Sequence, residues 1–192
     1  MSGRFIAIVG PSGVGKDSGM QALAARDPRL VLARRVITRP GDAGSDARGE
    51  DFDGVSAAAF EAQKAAGAFA LCWRAHGFCY AIPASVDALL ASGHDVLGNL
   101  SRSMLIAAQA RFTKVEVIAL GASHATLSAR LYGRGRETDA EITSRLERAT
   151  FMLPQGVKAH MVENNGALDD CAGDILAHLY PAAMACNTGT DR

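Results

Sequence analysis

An α/β fold of three layers, with a central parallel sheet between two sets of helices, is what the sequence predicts. Three observations carry it. Apolar runs of strand length alternate with helical patterns along most of the 192 residues. The first run, Phe5–Val9, passes directly into the glycine-rich stretch Gly10-Pro11-Ser12-Gly13-Val14-Gly15-Lys16 and then into a helical pattern. The rhythm of strand and helix breaks once, over residues 38–82, which marks an insert.

The elements follow in order. Residues 4–9 are a buried strand, and 16–26 are a helix stopped by Asp27-Pro28. Residues 30–37 read as a strand and the Gly- and Asp-rich 40–54 as a loop. A helix over 57–66 precedes short strands near 69–74 and 78–82, and a helix follows over 84–92. Then come a strand (94–99), a helix (102–112), a strand (115–120) and a helix (125–132). Residues 132–138 are a charged, glycine-punctuated turn and 139–151 an amphipathic helix. A strand at 160–163 and a helix at 168–179 close the domain. The expectation is a single domain over 1–192, with core segments 1–37, 83–125 and 149–180. The insert is 38–82, a lid covers 126–148, and 181–192 is a fraying tail.

Composition narrows the function classes. Twenty basic and twenty acidic residues give zero net charge, which argues against a nucleic-acid partner or an acidic membrane. Cys72, Cys79, Cys171 and Cys186 form no C-x-x-C pair, which argues against zinc and against a disulfide framework. A reduced cytoplasm is expected, without a signal peptide, because a strand begins within a few residues. No apolar run reaches membrane-span length. Oligomeric state is left open, a homodimer being one arrangement the sequence allows.

The segment Gly10–Lys16 has the G-x-x-x-x-G-K spacing of a phosphate-binding loop. Its glycines let successive N–H groups turn toward phosphate oxygens, and the following helix aims its positive end at the same anion. Lys16 reaches the β- and γ-phosphates of a nucleotide. The residues expected to bind ATP are therefore Gly10, Pro11, Ser12, Gly13, Val14, Gly15, Lys16, Asp17 and Ser18. The last motif position is Asp17 where Ser or Thr is usual, with Ser18 one step later. Two readings of Asp17 stand: it ligates Mg²⁺ directly or through water, or it caps the helix while Ser18 and water serve the metal.

Two later segments join the loop in a resemblance to the guanylate kinase family, over roughly residues 4–180. Ile37-Thr38-Arg39-Pro40 is similar to the stretch that opens that family's acceptor region. Gly133-Arg134-Gly135-Arg136-Glu137, followed by Ile142-Thr143-Ser144-Arg145-Leu146, is similar to its lid. The resemblance implies a P-loop kinase fold with an acceptor insert and a helical lid. It implies that Arg39 and Tyr80 hold the acceptor phosphate and that Arg134, Arg136 and Arg145 act on the transferring phosphates. It also implies that the Asn164-Asn165-Gly166 turn, through Asn165, wraps adenine, although an Asn-Gly pair is an ordinary turn as well.

Departures from guanylate kinases are specific. Cys72, before Trp73, takes the place of the glutamate that reads guanine, and Phe52 that of a phosphate-binding tyrosine. The D-x-D strand end has become Gly98-Asn99-Leu100-Ser101-Arg102. At these points the chain resembles the ribose 1,5-bisphosphate phosphokinases. Lys16-Asp17-Ser18, Ile37-Thr38-Arg39, His76-Gly77-Phe78-Cys79-Tyr80, Asn99-Leu100-Ser101-Arg102 and Gly133–Glu137 carry the likeness. That family transfers the γ-phosphate of ATP to ribose 1,5-bisphosphate in phosphonate breakdown, giving 5-phospho-α-D-ribose 1-diphosphate (PRPP). It implies sugar phosphate and ATP as small-molecule partners, Mg²⁺ as cofactor, and Arg39, Tyr80, Asn99 and Arg102 as acceptor-binding residues, with Arg102 or His76 on the second phosphate.

Plainer readings stand beside these. Trp73 and Phe69 belong to the core, His76 and His94 are structural or surface residues, and Arg148 pairs with Glu141 or Glu147 on its own helix face. Asp51 and Asp53 touch the ribose or simply solvate their loop. A guanylate or other nucleoside-monophosphate kinase is the alternative in the same class. A non-catalytic binding module is the alternative outside it, and the presence of Lys16 and the lid arginines argues against it.

Overall fold

The computed structural model describes residues 2–39, 51–133 and 152–181. A five-stranded sheet has the order β2 (Leu30–Leu32), β7 (Asp95–Asn99), β1 (Phe5–Val9), β8 (Val115–Gly121), β9 (His160–Glu163), with every neighbouring pair parallel. Buried on both faces, β1 is continuously apolar, as a central parallel strand must be. Its side chains alternate between two cores. Ile6 and Ile8 pack with Leu97, Ile118 and Leu120 under α1 (Lys16–Arg26) and α6 (Leu168–Leu179). Phe5, Ala7 and Val9 pack with Val96, Val117 and Ala119 on the side of α3 (Val86–Ala91) and α4 (Leu105–Arg111). Two layers of helix on one sheet follow from that period of two.

A smaller sheet has the order β4 (Phe52–Gly54), β3 (Arg35–Ile37), β6 (Phe78–Pro83), β5 (Phe69–Ala75). Its outer face, with Val36, Cys72, Cys79 and Ala81, is covered by Phe60 of α2 (Ala57–Ala65), whose ring meets Phe69 at 4.8 Å. Its inner face looks toward the glycine-rich loop. The β5–β6 hairpin turns on His76 and Gly77, both at positive φ (50° and 80°), the two-residue turn that matches strand twist.

Several elements differ from expectation. The strand expected over 30–37 is two strands in different sheets. Ala33 N–H donates to Leu97 O in the large sheet (2.8 Å), whereas Arg34 pairs with Asp51 (3.1 Å) and Asp53 (2.8 Å) of the small one. The loop expected over 40–54 contains β4, a strand made by pairing with β3 rather than by its own propensity. The helix expected over 102–112 starts as a 3₁₀ turn, Arg102–Met104. Helix α5 (His124–Gly133) buries Leu127 against the first core and Leu131 beside Gly13. The expected turn and helix beyond Gly133, with Arg134, Arg136, Arg145 and Arg148, lie outside the described residues, as do Pro40–Glu50 and 182–192.

At the N-terminal ends of the strands the charges are mutually satisfied. Asp95, at the start of β7, accepts from Arg4 N (2.7 Å), Arg4 Nη2 (2.6 Å) and Tyr180 Oη (2.6 Å). Burial pushes the Asp95 carboxyl up, but the hydrogen bonds from Arg4 and Tyr180 outweigh it and hold the carboxyl below the usual range. Burial, together with the bond to Asp95, pushes the Tyr180 phenol up to about 12. The network ties the end of α6 to the start of β1.

Candidate active site

At the opposite, C-terminal ends of the strands lies a cleft of about 590 Å³ between the glycine-rich loop and the inner face of the small sheet. Ligands of open α/β sheets bind at this end. The loop is formed by backbone that only glycine adopts readily: Gly13 and Gly15 have φ of 85° and 93°, and a Cβ on Gly15 would meet Asn164 Nδ2 at 2.9 Å. Asn164, 3% exposed, donates to the Val14 carbonyl at 2.8 Å, and Arg130 Nη1 reaches the same carbonyl at 3.3 Å. That carbonyl is thereby fixed toward the core. Lys16 Nζ lies back over the loop, donating to Gly10 O (2.9 Å) and Pro11 O (3.0 Å).

Asp17 sits in the first turn of α1 and looks across the cleft. Its Oδ1 accepts from Asn99 Nδ2 at 2.9 Å and faces Arg35 Nη2 at 3.5 Å. Its capping alternative finds no hydrogen bond, since Asp17 makes none to a helix N–H. Oδ2 has no partner among the described residues, so the carboxylate keeps an oxygen for a hard cation, and the Ser18 hydroxyl follows it. The donor set fits Mg²⁺ held partly by protein and partly by nucleotide phosphates. Among the described residues no cluster of three or more His, Cys, Asp or Glu side chains forms a separate metal site.

The small sheet supplies the other wall. Arg35, in β3, and Arg39, two residues beyond its end, line the cleft, while Val36 packs toward α2. Thr38 exchanges two hydrogen bonds with Cys79, N–H to Cys79 O (3.0 Å) and Oγ1 from Cys79 N–H (2.8 Å), which fixes the end of β3 beside Tyr80. The Arg39 guanidinium, on a residue 9% exposed, lies 4.5 Å above the Phe52 ring. Trp73 and Tyr80 stack at 5.5 Å and 12° and line the cleft. Asn99, His76 and Arg102 also line the cleft.

The sequence-expected residues are thus divided. Gly10, Pro11, Ser12, Gly13, Gly15, Lys16, Asp17, Ser18, Arg39, Tyr80, Asn99 and Arg102 meet in one cleft. Val14 is buried beneath it. Asn165 does not line its described surface: its Oδ1 accepts from Ser123 N–H (2.6 Å) and its Nδ2 donates to Glu163 (3.3 Å), joining the turn after β9 to the start of α5. Two corrections concern β5. Trp73, expected in the core, packs partly against it but faces the cleft. Cys72, expected where guanine would be read, points to the α2 side, because neighbouring strand residues face opposite ways. Arg35, 8% exposed, was missed, and consecutive arginines interrupting an apolar run were its one sequence signal.

The described lining carries four permanent cations, Lys16, Arg35, Arg39 and Arg102, against one carboxylate, Asp17. Such a lining suits anions. Among curated proteins, a ribose 1,5-bisphosphate phosphokinase from a Ruegeria species is 51% identical over 167 residues, covering 86% of each chain. One from Pseudomonas paraeruginosa is 42% identical over 180 residues, 93% of this chain and 96% of its own. The chain belongs to the ribose 1,5-bisphosphate phosphokinase family. The membership agrees with the kinase fold. A guanylate kinase from Anaplasma phagocytophilum superposes with a TM-score of 0.65 at 18% identity, over 98% of this chain and 88% of its own. A gluconokinase from Sinorhizobium meliloti gives a TM-score of 0.52 at 19% identity, over 95% of each chain. At those identities the likeness concerns fold alone. No protein-family model matches the chain. Among the described residues no helix is long and apolar enough to cross a membrane.

Proposed function

We propose that this phosphokinase transfers the γ-phosphoryl group of ATP to the 1-phosphate of ribose 1,5-bisphosphate, giving ADP and 5-phospho-α-D-ribose 1-diphosphate, in the cytoplasm. The observation that carries the reading is the convergence of Lys16 with Arg35, Arg39 and Arg102 around Asp17, the one carboxylate of the cleft's described lining. Both substrates are polyanions, and bringing them together is the main electrostatic cost of the reaction.

The nucleophile is a phosphate oxygen, ionised at neutral pH, so no general base is required. A 1-phosphate oxygen bonds to the γ-phosphorus as the bond from that phosphorus to its bridging oxygen breaks, and the electron pair leaves with ADP. Catalysis then rests on alignment and charge neutralisation. The loop amides and Lys16 hold the β- and γ-phosphates, while Arg39 and Tyr80 hold the acceptor phosphate. Phe52 beneath Arg39 limits the directions in which its fork can point. Asn99 orients Asp17, which with Ser18 would hold Mg²⁺. When bound, the metal neutralises charge on the β- and γ-phosphates. In this reading Arg134, Arg136 and Arg145 close over the transferring group and exclude water.

An acceptor screen with ATP and Mg²⁺ tests the proposal, with product identified by phosphorus NMR. Ribose 1,5-bisphosphate should be consumed with stoichiometric ADP and a new diphosphate resonance pair. Turnover of GMP without turnover of ribose 1,5-bisphosphate would overturn it.

A further inference from the structure

Asn164 lies outside the cleft, yet its side chain is aimed at the glycine-rich loop. It is 3% exposed and follows the last residue of β9. Its own N–H donates to Gly121 O at 2.8 Å, so the residue is fixed between the ends of β8 and β9. The side-chain Nδ2 donates to Val14 O at 2.8 Å, and Arg130 approaches that carbonyl only at 3.3 Å. The other amide atom, Oδ1, is buried and has no hydrogen-bond partner among the described residues. A buried acceptor left unpaired costs stability. Packing alone would favour a leucine of similar shape here, so the distinctive contribution of the amide is its one bond to the loop.

That bond acts on a peptide whose direction the loop does not set for itself. Gly15 has a φ of 93°, and glycine adopts positive and negative φ about equally readily. The Val14–Gly15 peptide can therefore turn over at little cost on its glycine side. In a trans peptide the C=O and N–H point opposite ways. Asn164 holds the Val14 oxygen toward the core, where Val14 is itself fully buried. The Gly15 N–H is thereby turned the other way, on a residue that lines the cleft. Among the described residues no backbone carbonyl accepts from it. A turned-over peptide would present an oxygen to the phosphates instead.

We infer that Asn164 is a positioning residue for the nucleotide: by holding the Val14 carbonyl inward it selects the peptide orientation in which Gly15 N–H meets a phosphate oxygen. The inference rests on the ATP half of the function proposed above. A bond that merely fastens the turn to the loop is the competing role.

Binding and amide spectra separate the two in the full-length protein. Calorimetry gives dissociation constants for ATP with Mg²⁺ and for ribose 1,5-bisphosphate, each alone, and a melting curve monitors folding. Asn164→Leu should weaken ATP binding about tenfold and leave ribose 1,5-bisphosphate binding within about twofold, with unfolding shifted by only a few degrees. Asn164→Ala, which puts no bulk against Gly15, should show the same selective loss. In nitrogen-edited NMR spectra the Gly15 amide should shift when ATP binds the unmodified protein, and the shift should shrink in either variant. ATP affinity unchanged within about twofold in both variants, or equal weakening of both ligands, would overturn the inference. So would a Gly15 amide that ATP leaves unmoved in the unmodified protein, a result that needs no variant to fold. Each of these results leaves standing the proposed reaction, which is read from the acceptor screen. Failure of ATP to bind the unmodified protein would overturn the reaction and the inference together.

Discussion

The two ends of the five-stranded sheet handle charge in opposite ways. At the N-terminal ends of the strands, Arg4, Asp95 and Tyr180 satisfy one another within 2.6–2.7 Å, and the result is a fastening between chain segments. At the C-terminal ends, Lys16, Arg35, Arg39 and Arg102 converge with Asp17 alone as the described acidic counterpart. The difference teaches where to look for function: side chains that close on one another fasten the fold, and cations gathered along an open cleft are placed to meet an anion.

The largest expected effect tests the cleft end. Lys16→Met should lower kcat on the order of 10³-fold, as loss of a preorganised transition-state donor does, while thermal unfolding shifts by only a few degrees. A steady-state ADP-release assay and a melting curve on the same sample check this. A matched fall in rate and stability would erase the contrast between the two ends.

The next effect belongs to the balanced end. Asp95→Asn leaves Arg4 without its counter-charge and should cost about 2–3 kcal/mol in urea unfolding. The rate per folded molecule should stay within about twofold, because Asp95 faces away from the chemistry. The carboxyl is held below the usual range, so its contribution is present above about pH 4 and fades as pH falls through its lowered value. In the variant that acid limb should flatten.

Tyr180→Phe is the smallest and sharpens the same end. Loss of one hydrogen bond to Asp95 should cost about 1 kcal/mol near neutrality. The phenol's value is raised from 10 to about 12, so its stabilisation is complete below pH 10 and lost as pH rises to 12. Unfolding followed across that range should show a slope in the unmodified protein that the variant lacks.

How much of this was legible in the sequence depends on which forces made each part. Strand β1, the glycine-rich loop and α1 are local in origin, and residues 5–26 announced all three. The helix Leu168–Leu179 was legible because Cys171, Ala172, Ile175 and Leu179 lie on one face, and that stripe is what it buries. Strand β4 was not legible, because nothing in Phe52-Asp53-Gly54 favours a strand until Arg35–Ile37 offers a partner. Arginine is seldom buried, so Arg35 was passed over, and only the interruption of an apolar run by two consecutive arginines set it apart from a surface residue. Trp73 was assigned to the core, and it packs against the core on one side while its stacking on Tyr80 leaves the other side lining the cleft. Arg39 and Thr38 were found through a motif, and the structure adds what each touches: Phe52 for one and Cys79 for the other.

The joint between β2 and β3 has a consequence of parity. Leu32 ends one sheet, Arg35 begins the other, and only Ala33 and Arg34 intervene. With side chains alternating along β3, Arg35 faces inward and Arg34, just before it, turns outward to Asp51 and Asp53. Adding or deleting a single residue there would invert the phase of the strand, presenting Arg34 and Val36 to the cleft while the Arg35 guanidinium turned to the opposite surface. The spacing of an otherwise featureless connection is therefore part of the recognition code.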